Sequence, residues 1–351
     1  MRLEKLRREI DGIDAELIKL LNKRMETTLM TKNFKKETED SKREEEVLEK
    51  IQKFSGGILS KEFTEELYQK IISESKELQK KKLKLIGFQG EHGAYSEIAV
   101  RSYDKNAVPI PHKAFSDVFE AVESGELDLG IVPVENSLAG LVSPVNDLLT
   151  KTDLHVIGEI KVPIHHCLLA YPGTEYRDLK VTISHPQALS QCRGFISRNK
   201  LEAREHYDTA GSAMTVAKDK PAATAAIASR LCAEIYNLEI IKENIEDCKT
   251  NTTRFLVISK EPSKEKGNKC SIVFSTAHKA GALFNVLKRF SEAGINLTRI
   301  ESRPLVDDPG NYAFLLDFQG SSEDSKVKKA LEEVQQHTAT YKFLGCYKEA
   351  E

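Results

Sequence analysis

The sequence predicts a multidomain chain: an all-α helical domain over residues 1–82, a two-lobed α/β domain (periplasmic-binding-protein-like) over 83–260, and an α+β domain of βαββαβ order over 269–351. Three observations predict it. Of the first 82 residues 38 are charged and none is proline, against 68 charged among the other 269, as long helices with one buried stripe require. Short apolar runs then alternate with amphipathic stretches, an α/β pattern. A polar, turn-rich segment, 260–269, precedes a final strand and helix series. A length of 351 residues suits two or three ordinary domains.

In the first segment Leu6, Ile10, Ile13, Leu17 and Leu20 recur at helical spacing. The same stripe runs on to Arg24, Thr28, Thr31 and Lys35. Arg24 and Lys35 lie only about 20° apart around the axis, on the face that leucines occupy earlier. Two cations on a buried face need an anionic partner. The helix is too long for a monomeric hairpin, and pairing with a second copy is expected. Arg7 sits about 100° from Arg24, so a shared anion would meet Arg7 of the neighbouring subunit. Asp40, Arg43 and Glu44 follow i, i+3, i+4 spacing, and Ser75 and Gln79 i, i+4, each a polar patch on one helix face. A charged bundle used only for dimerisation explains the stripe equally well, since a lone arginine can snorkel.

From residue 83 the strand-like runs KLKLIGF, AVPIP and LDLGIVPVE are each followed by a helical stretch. After the long apolar run LHVIGEIKVPIHHCLLAY the alternation resumes and ends in RFLVIS. A long crossing segment of this kind predicts two lobes with a cleft, and ligands in such folds bind where strands end and helices begin. Gly87, Gly90 and Gly93 miss the dinucleotide-binding spacing, and the next strand ends in His112 and Lys113, without the acid that a ribose requires. They form either a turn that brings backbone and Ser96 close to a ligand or a plain strand-to-helix turn. Glu135, Asn136 and Ser137 follow one strand, and Ser184 follows another with Gln191 beyond it. Capping explains either serine alone, though not Asn136 or Gln191. In Asn251-Thr252-Thr253-Arg254-Phe255 an arginine behind two hydroxyls opens an apolar strand, the composition of an anion site.

The last segment reads β-α-β-β-α-β. Gly281 opens its first helix, whose bare N–H groups suit a carboxylate, and Gly294 closes it. A dimerisation sheet without ligand is the alternative.

Composition narrows the function. Fifty-two Lys and Arg against 54 Asp and Glu leave no basic excess for coating nucleic acid or anionic lipid. No run is long and apolar enough to span a membrane, and a cytoplasmic protein is expected. Six cysteines without a CxxC pair predict reduced thiols. His165, His166 and Cys167 alternate faces of a strand, so no metal and no cofactor are expected.

LRREIDGIDAELIKLLNKRME, KNFKK, DSKREEEVLEKI and ISESKELQ resemble the chorismate mutase domain that fronts bifunctional chorismate mutase–prephenate dehydratases. The resemblance implies that Arg7 of a partner chain, Arg24 and Arg43 hold the carboxylates of chorismate. Lys35 and Gln79 would donate to the breaking ether oxygen, and Asp40, Glu44 and Ser75 would fix the hydroxyl and ring. GFQGEHGAYSEIA, VPVENSLAG, SHPQALSQC, DTAGSA, AAIAS and TTRF resemble, in order, the motifs of prephenate dehydratase. That implies Thr253 as the catalytic hydroxyl, Arg254 as a carboxylate clamp and Phe255 packed behind them. Asn136, Ser184 and Gln191 would line the site, with Ser96, Thr209 and Ser212 as further contacts, and either Glu135 or water would relay the proton. GALF and IESRP resemble an ACT domain whose effector is phenylalanine, implying a site at Gly281, Ala282, Leu283, Asn296, Leu297, Thr298, Glu301, Ser302, Arg303 and Pro304. The expected whole is a homo-oligomeric enzyme converting chorismate to prephenate and prephenate to phenylpyruvate, inhibited by phenylalanine. The alternatives are a non-catalytic anion sensor, a dehydratase with a decayed mutase, and an arogenate-preferring enzyme.

Overall fold

The computed structural model describes residues 2–31, 34, 41–54, 57–305 and 311–350. The chain divides into two compact units, Met1–Leu85 with Asn106–Ile110, and Ile86–Lys105 with Pro111–Glu351.

Apart from residues 85 and 106–110, the first unit is helical: α1 (Arg2–Thr31), α2 (Ser41–Phe54) and α3 (Lys61–Lys80), with α3 packed on both others. Ser60 caps α3 by accepting the Phe63 N–H at 3.1 Å. The predicted stripe of α1 remains at the surface; Leu6, Ile10, Ile13, Leu17 and Leu20 are each more than half exposed.

The second unit holds three sheets. Its first lobe contains β1 (Leu85–Gln89), α4 (Tyr95–Tyr103), β2 (Val108–His112), α5 (Phe115–Ser124), β3 (Leu129–Asn136), β4 (Gly140–Leu141), α6 (Ser143–Lys151) and β5 (His155–Pro163). The second contains β6 (Cys167–Ala170), β7 (Val181–Ser184), α7 (Pro186–Gln191), α8 (Arg193–Arg198), β8 (Glu202–Glu205), α9 (Thr209–Asp219), β9 (Thr224–Ala228), α10 (Arg230–Tyr236) and β10 (Glu239–Lys242). The chain then returns to the first lobe as β11 (Thr252–Ser259). Strand orders are β2-β1-β3-β11-β5, with β4 beside β3, and β10-β6-β9-β7-β8. The long apolar run thus splits into β5 and β6, one strand in each sheet. Its three-residue connection, 164–166, is laced to the returning segment: Ile164 N–H donates to the Asn251 carbonyl, and Ile245 N–H to the His166 carbonyl.

The third sheet comprises β12 (Lys269–Ser275), β13 (Leu297–Pro304), β14 (Tyr312–Gln319) and β15 (Thr340–Tyr347), in order β13-β14-β12-β15, with α11 (Ala282–Glu292) and α12 (Ser325–Gln336). All its pairings are antiparallel, and Phe274, Phe290 and Phe318 fill its core. The βαββαβ expectation therefore holds. Among the described residues no helix is long and apolar enough to cross a membrane.

Candidate active sites

In the helical unit the apolar stripe gives way to a polar cluster where α1 faces α3. Arg24 Nη1 donates to the buried Ser75 hydroxyl at 2.6 Å. The buried Gln79 amide donates to the Thr28 carbonyl at 2.8 Å and to Thr31 Oγ1 at 3.2 Å. Among the described residues no carboxylate pairs with Arg24. Glu44 is instead bound by Lys76 at 2.7 Å, a cation absent from the expected set. Arg43 is exposed, 3.0 Å from Glu46. Arg7, exposed beside Glu4, lies about 25 Å along α1 from Arg24 at helical rise. Lys35 and Asp40 fall outside the described residues.

The cleft site starts from Asn136, the last residue of β3. Its Oδ1 accepts the Leu138 and Ala139 N–H groups at 3.0 and 2.8 Å, which turns the chain and fixes the amide orientation. Its Nδ2 therefore donates, to Thr253 Oγ1 at 2.9 Å and Asn251 Oδ1 at 2.7 Å. Two consequences follow from donor counting. Thr253 Oγ accepts from the amide, leaving its own proton to give elsewhere. Asn251 Nδ2 is buried with no partner among the described residues. Sequence reasoning missed Asn251, although it stands two residues before Thr253.

Beside this turn lies a cavity of about 310 Å³ lined by Leu138, Ala139, Gln187, Gln191, Asp247 and Cys248, among others. Gln191 Oε1 meets His166 Nε2 at 2.8 Å. An amide oxygen only accepts, so the imidazole proton lies on Nε2, and the Tyr95 hydroxyl stands 2.9 Å from Nδ1 and 2.5 Å from the His165 carbonyl, its single proton shared between these two acceptors. Burial lowers the pKa of His166 and keeps it neutral. Burial also pushes Glu246 upward, but hydrogen bonds from His165 and the His166 N–H outweigh it, and its carboxyl stays below the usual range.

Arg254 requires a correction. Neighbouring strand residues point to opposite faces, so Thr253 and Arg254 cannot both address one ligand. The guanidinium points away and binds Glu159 at 2.7 Å, Asp317 at 2.7 Å and Glu135 at 3.2 Å. Burial opposes its charge, yet Asp317, Tyr347 and Glu159 together hold its pKa above the ordinary value. It is a structural cation and no free clamp. Glu135, expected as a relay, is part of the same ion cluster.

Ser184 and Ser212 also depart from expectation. Both are fully buried, with hydroxyls donated to the Ile227 and Thr209 carbonyls at 2.6 and 2.7 Å, so neither lines the cavity. His185 caps α7, and Ser137 caps no helix but ties the turn to Thr250 and Thr252. Ser96 is buried in the first turn of α4, and Thr209 opens α9 behind its cap, Asp208. Phe255 is a core residue, 1% exposed. The glycine turn is structural: the Gly90 N–H goes to the His112 carbonyl and the Gly93 N–H to Glu97.

In the third sheet Gly281 takes a left-handed φ of 83° ahead of α11, and no side chain caps that helix. Ala282 and Leu283 are partly buried in its first turn, whereas Asn296 and Thr298 are exposed and Asn296 meets Gln319 at 3.1 Å. Arg303 is held by Asp147 at 2.5 and 2.9 Å and by Ser143 at 3.2 Å. Leu297, Glu301, Ser302 and Pro304 share its strand. All six cysteines are free, and the described residues form no cluster fit for a metal ion.

Sequence families match in the same order. Residues 6–80 match "Chorismate mutase type II", 86–263 "Prephenate dehydratase" and 271–336 "ACT domain". The chain is 36% identical over 361 residues to the bifunctional chorismate mutase/prephenate dehydratase of Aquifex aeolicus, covering 99% of this chain and 98% of that one. It is 43% identical to arogenate dehydratase 1 of Petunia hybrida over 75% of this chain, a stretch spanning 66% of the petunia protein. Among solved structures, a prephenate dehydratase from Arthrobacter aurescens in complex with L-Phe is 33% identical, with a TM-score of 0.70 over 76% of this chain and 90% of that one. GqqA, described as a quorum-quenching acylase, is 35% identical, with a TM-score of 0.71 over 75% of this chain and 97% of its own.

Proposed function

The chain belongs to the bifunctional chorismate mutase/prephenate dehydratase family, and from that premise we propose that it rearranges chorismate to prephenate in its helical unit and converts prephenate to phenylpyruvate in the cleft. The working boundaries are 1–82, 83–260 and 269–351. The observation that carries the dehydratase reading is the donor count at Thr253. Because Asn136 fills an acceptor position on its oxygen, the threonine O–H is available to hydrogen-bond the ring hydroxyl, which departs as water with a proton relayed from solvent as carbon dioxide is lost. Aromatisation drives the step, so the protein need only hold the substrate and supply that donor. A buried donor without a partner carries a cost of roughly 1–3 kcal/mol, and a substrate carboxylate would relieve it at Asn251. The His166–Gln191 pair, neutral and oriented through Tyr95, would present further polar groups beside the cavity.

The mutase reading rests on Arg24, a part-buried cation whose partner is a neutral hydroxyl. Such a forked donor fits a carboxylate of chorismate, and Gln79 stands beside it. The rearrangement is intramolecular, so binding in the reactive conformer and stabilising the ether oxygen suffice, with no cofactor. The exposed apolar stripe of α1 would bury itself against a second copy, whose Arg7 would complete the site. The enzyme would work in the cytoplasm, with L-phenylalanine as effector of the C-terminal sheet.

Thr253→Ala tests the dehydratase assignment: kcat on prephenate should fall about 10²- to 10⁴-fold while chorismate turnover persists. A fully active variant would refute it. The 43% identity to an arogenate dehydratase favours a second reading, so prephenate and arogenate should be offered separately, with and without phenylalanine.

A further inference from the structure

The third sheet is joined to the dehydratase lobe by buried polar groups, and their geometry has a direction. Asp317 on β14 is 1% exposed and stands at the centre. It binds Arg254 Nη2 at 2.7 Å, the Ser271 hydroxyl at 2.6 Å and Arg299 Nη1 at 3.6 Å. Arg254 adjoins Thr253 on β11. Arg299 follows Thr298 on β13 and also reaches the Asn146 side chain, which donates to the Val134 carbonyl at 3.1 Å, two residues before Asn136. Two arms therefore leave one carboxylate and end at the two strands whose side chains meet in the Asn136–Thr253 hydrogen bond.

Both ends of this linkage are irregular. Strand register shifts between Leu297 and Arg299 on β13, and again where β11 pairs with β3, between Arg254 and Phe255, with Val134 of β3 as the extra residue. Such bulges re-aim side chains and absorb backbone shifts that a regular ladder resists. Arg299 Nε is buried without a partner among the described residues, so this arrangement is not fully satisfied and a second one has something to gain. A shift of Arg299 would pull on Asp317. Because a buried charge cannot be left unpaired cheaply, Arg254 and β11 must follow.

We propose that Asp317 is a positioning residue that couples the C-terminal sheet to the dehydratase site, through Arg254 to Thr253 and through Arg299 and Asn146 to Asn136. The proposal rests on the dehydratase and phenylalanine-effector reading above. Coupling is reciprocal, so it is measured as the factor by which phenylpyruvate, the product, changes the affinity for L-phenylalanine.

Calorimetric titration of the full chain with L-phenylalanine, with and without phenylpyruvate, gives that factor, and prephenate turnover gives inhibition. For Asp317→Asn, phenylalanine should bind within about threefold of wild type. The coupling factor should fall to about one, and saturating phenylalanine should leave prephenate turnover essentially uninhibited. A merely structural role would lower stability or kcat and leave the factor unchanged, which overturns the proposal. Should Asp317→Asn fail to fold, Ser271→Ala and Tyr347→Phe each remove two hydrogen bonds of the cluster, the one between them included, and keep its charges; an unaltered factor in both overturns it. A wild type that dehydrates prephenate without any coupling overturns the proposal alone. A wild type inert towards prephenate and arogenate overturns the reading beneath it.

Discussion

Replacing Arg254 by methionine keeps the length of the side chain and removes its charge. The guanidinium is 7% exposed and serves the carboxylates of Glu159, Asp317 and Glu135. Breaking a buried pair typically costs 3–5 kcal/mol because the abandoned charge stays buried. Here the survivors keep other partners: Glu159 retains Lys269 at 2.9 Å, and Asp317 retains Ser271 and the more distant Arg299. The lower half of that range, roughly 3–4 kcal/mol, is expected. At about 2–4 °C per kcal/mol for 150–250 residues, the unfolding midpoint of the second unit should drop by roughly 6–16 °C. Acid adds a second readout. Burial pushes the Asp317 carboxyl up, but Arg254 and Arg299 beside it outweigh that and hold it below the usual range. A carboxylate with a lowered folded pKa contributes stability above its unfolded value, near 3.9, and loses it as pH falls through the folded one. The gap between wild type and Arg254→Met should thus be widest near neutrality and narrow below about pH 4. Thermal scans across that range check both statements. An unchanged midpoint at pH 7, or a gap that grows on acidification, would show that the cluster does not carry the energy assigned to it.

Gly93→Ala should destabilise the dehydratase lobe by about 1–3 kcal/mol in urea unfolding: φ there is +90°, and a Cβ would lie 2.5 Å from Cys232 Sγ. Leu6→Glu with Ile13→Glu places charges on the exposed α1 stripe. Sedimentation should report a smaller species, and chorismate turnover should fall at least about tenfold while prephenate turnover persists; an unaltered assembly would remove that stripe from the interface.

Much of the architecture was legible because periodicity is local. The α1 stripe, the strand and helix alternation and the βαββαβ order all follow from spacing within short windows. The polar groups on α1 and α3 were legible for the same reason, Arg24 by its place on the stripe and Ser75 with Gln79 by their i, i+4 spacing. Arg254 was misread because composition suggested an anion site, whereas strand alternation alone implied that only one of Thr253 and Arg254 faces the cleft. Its true partners lay beyond any local pattern: Glu159 is 95 positions away and Asp317 63. Ser184 and Ser212 show the converse, since a hydroxyl at a strand end or in a first helical turn is as readily spent on a backbone carbonyl. Asn251 was passed over because nothing in the sequence marks a donor as unpaired.

The lacing of residues 164–166 to the returning segment has a mechanical corollary. Two separate straps would let the lobes twist and shear against each other, but straps hydrogen-bonded into a ribbon behave as a leaf spring, compliant chiefly about one axis. Thr253 and His166 stand at the root of that spring, where a given rotation moves atoms least. Opening to admit a molecule would then displace the outer jaws by ångströms while the reacting groups keep their spacing, so the breathing that governs entry and exit need not blur the alignment that governs bond breaking.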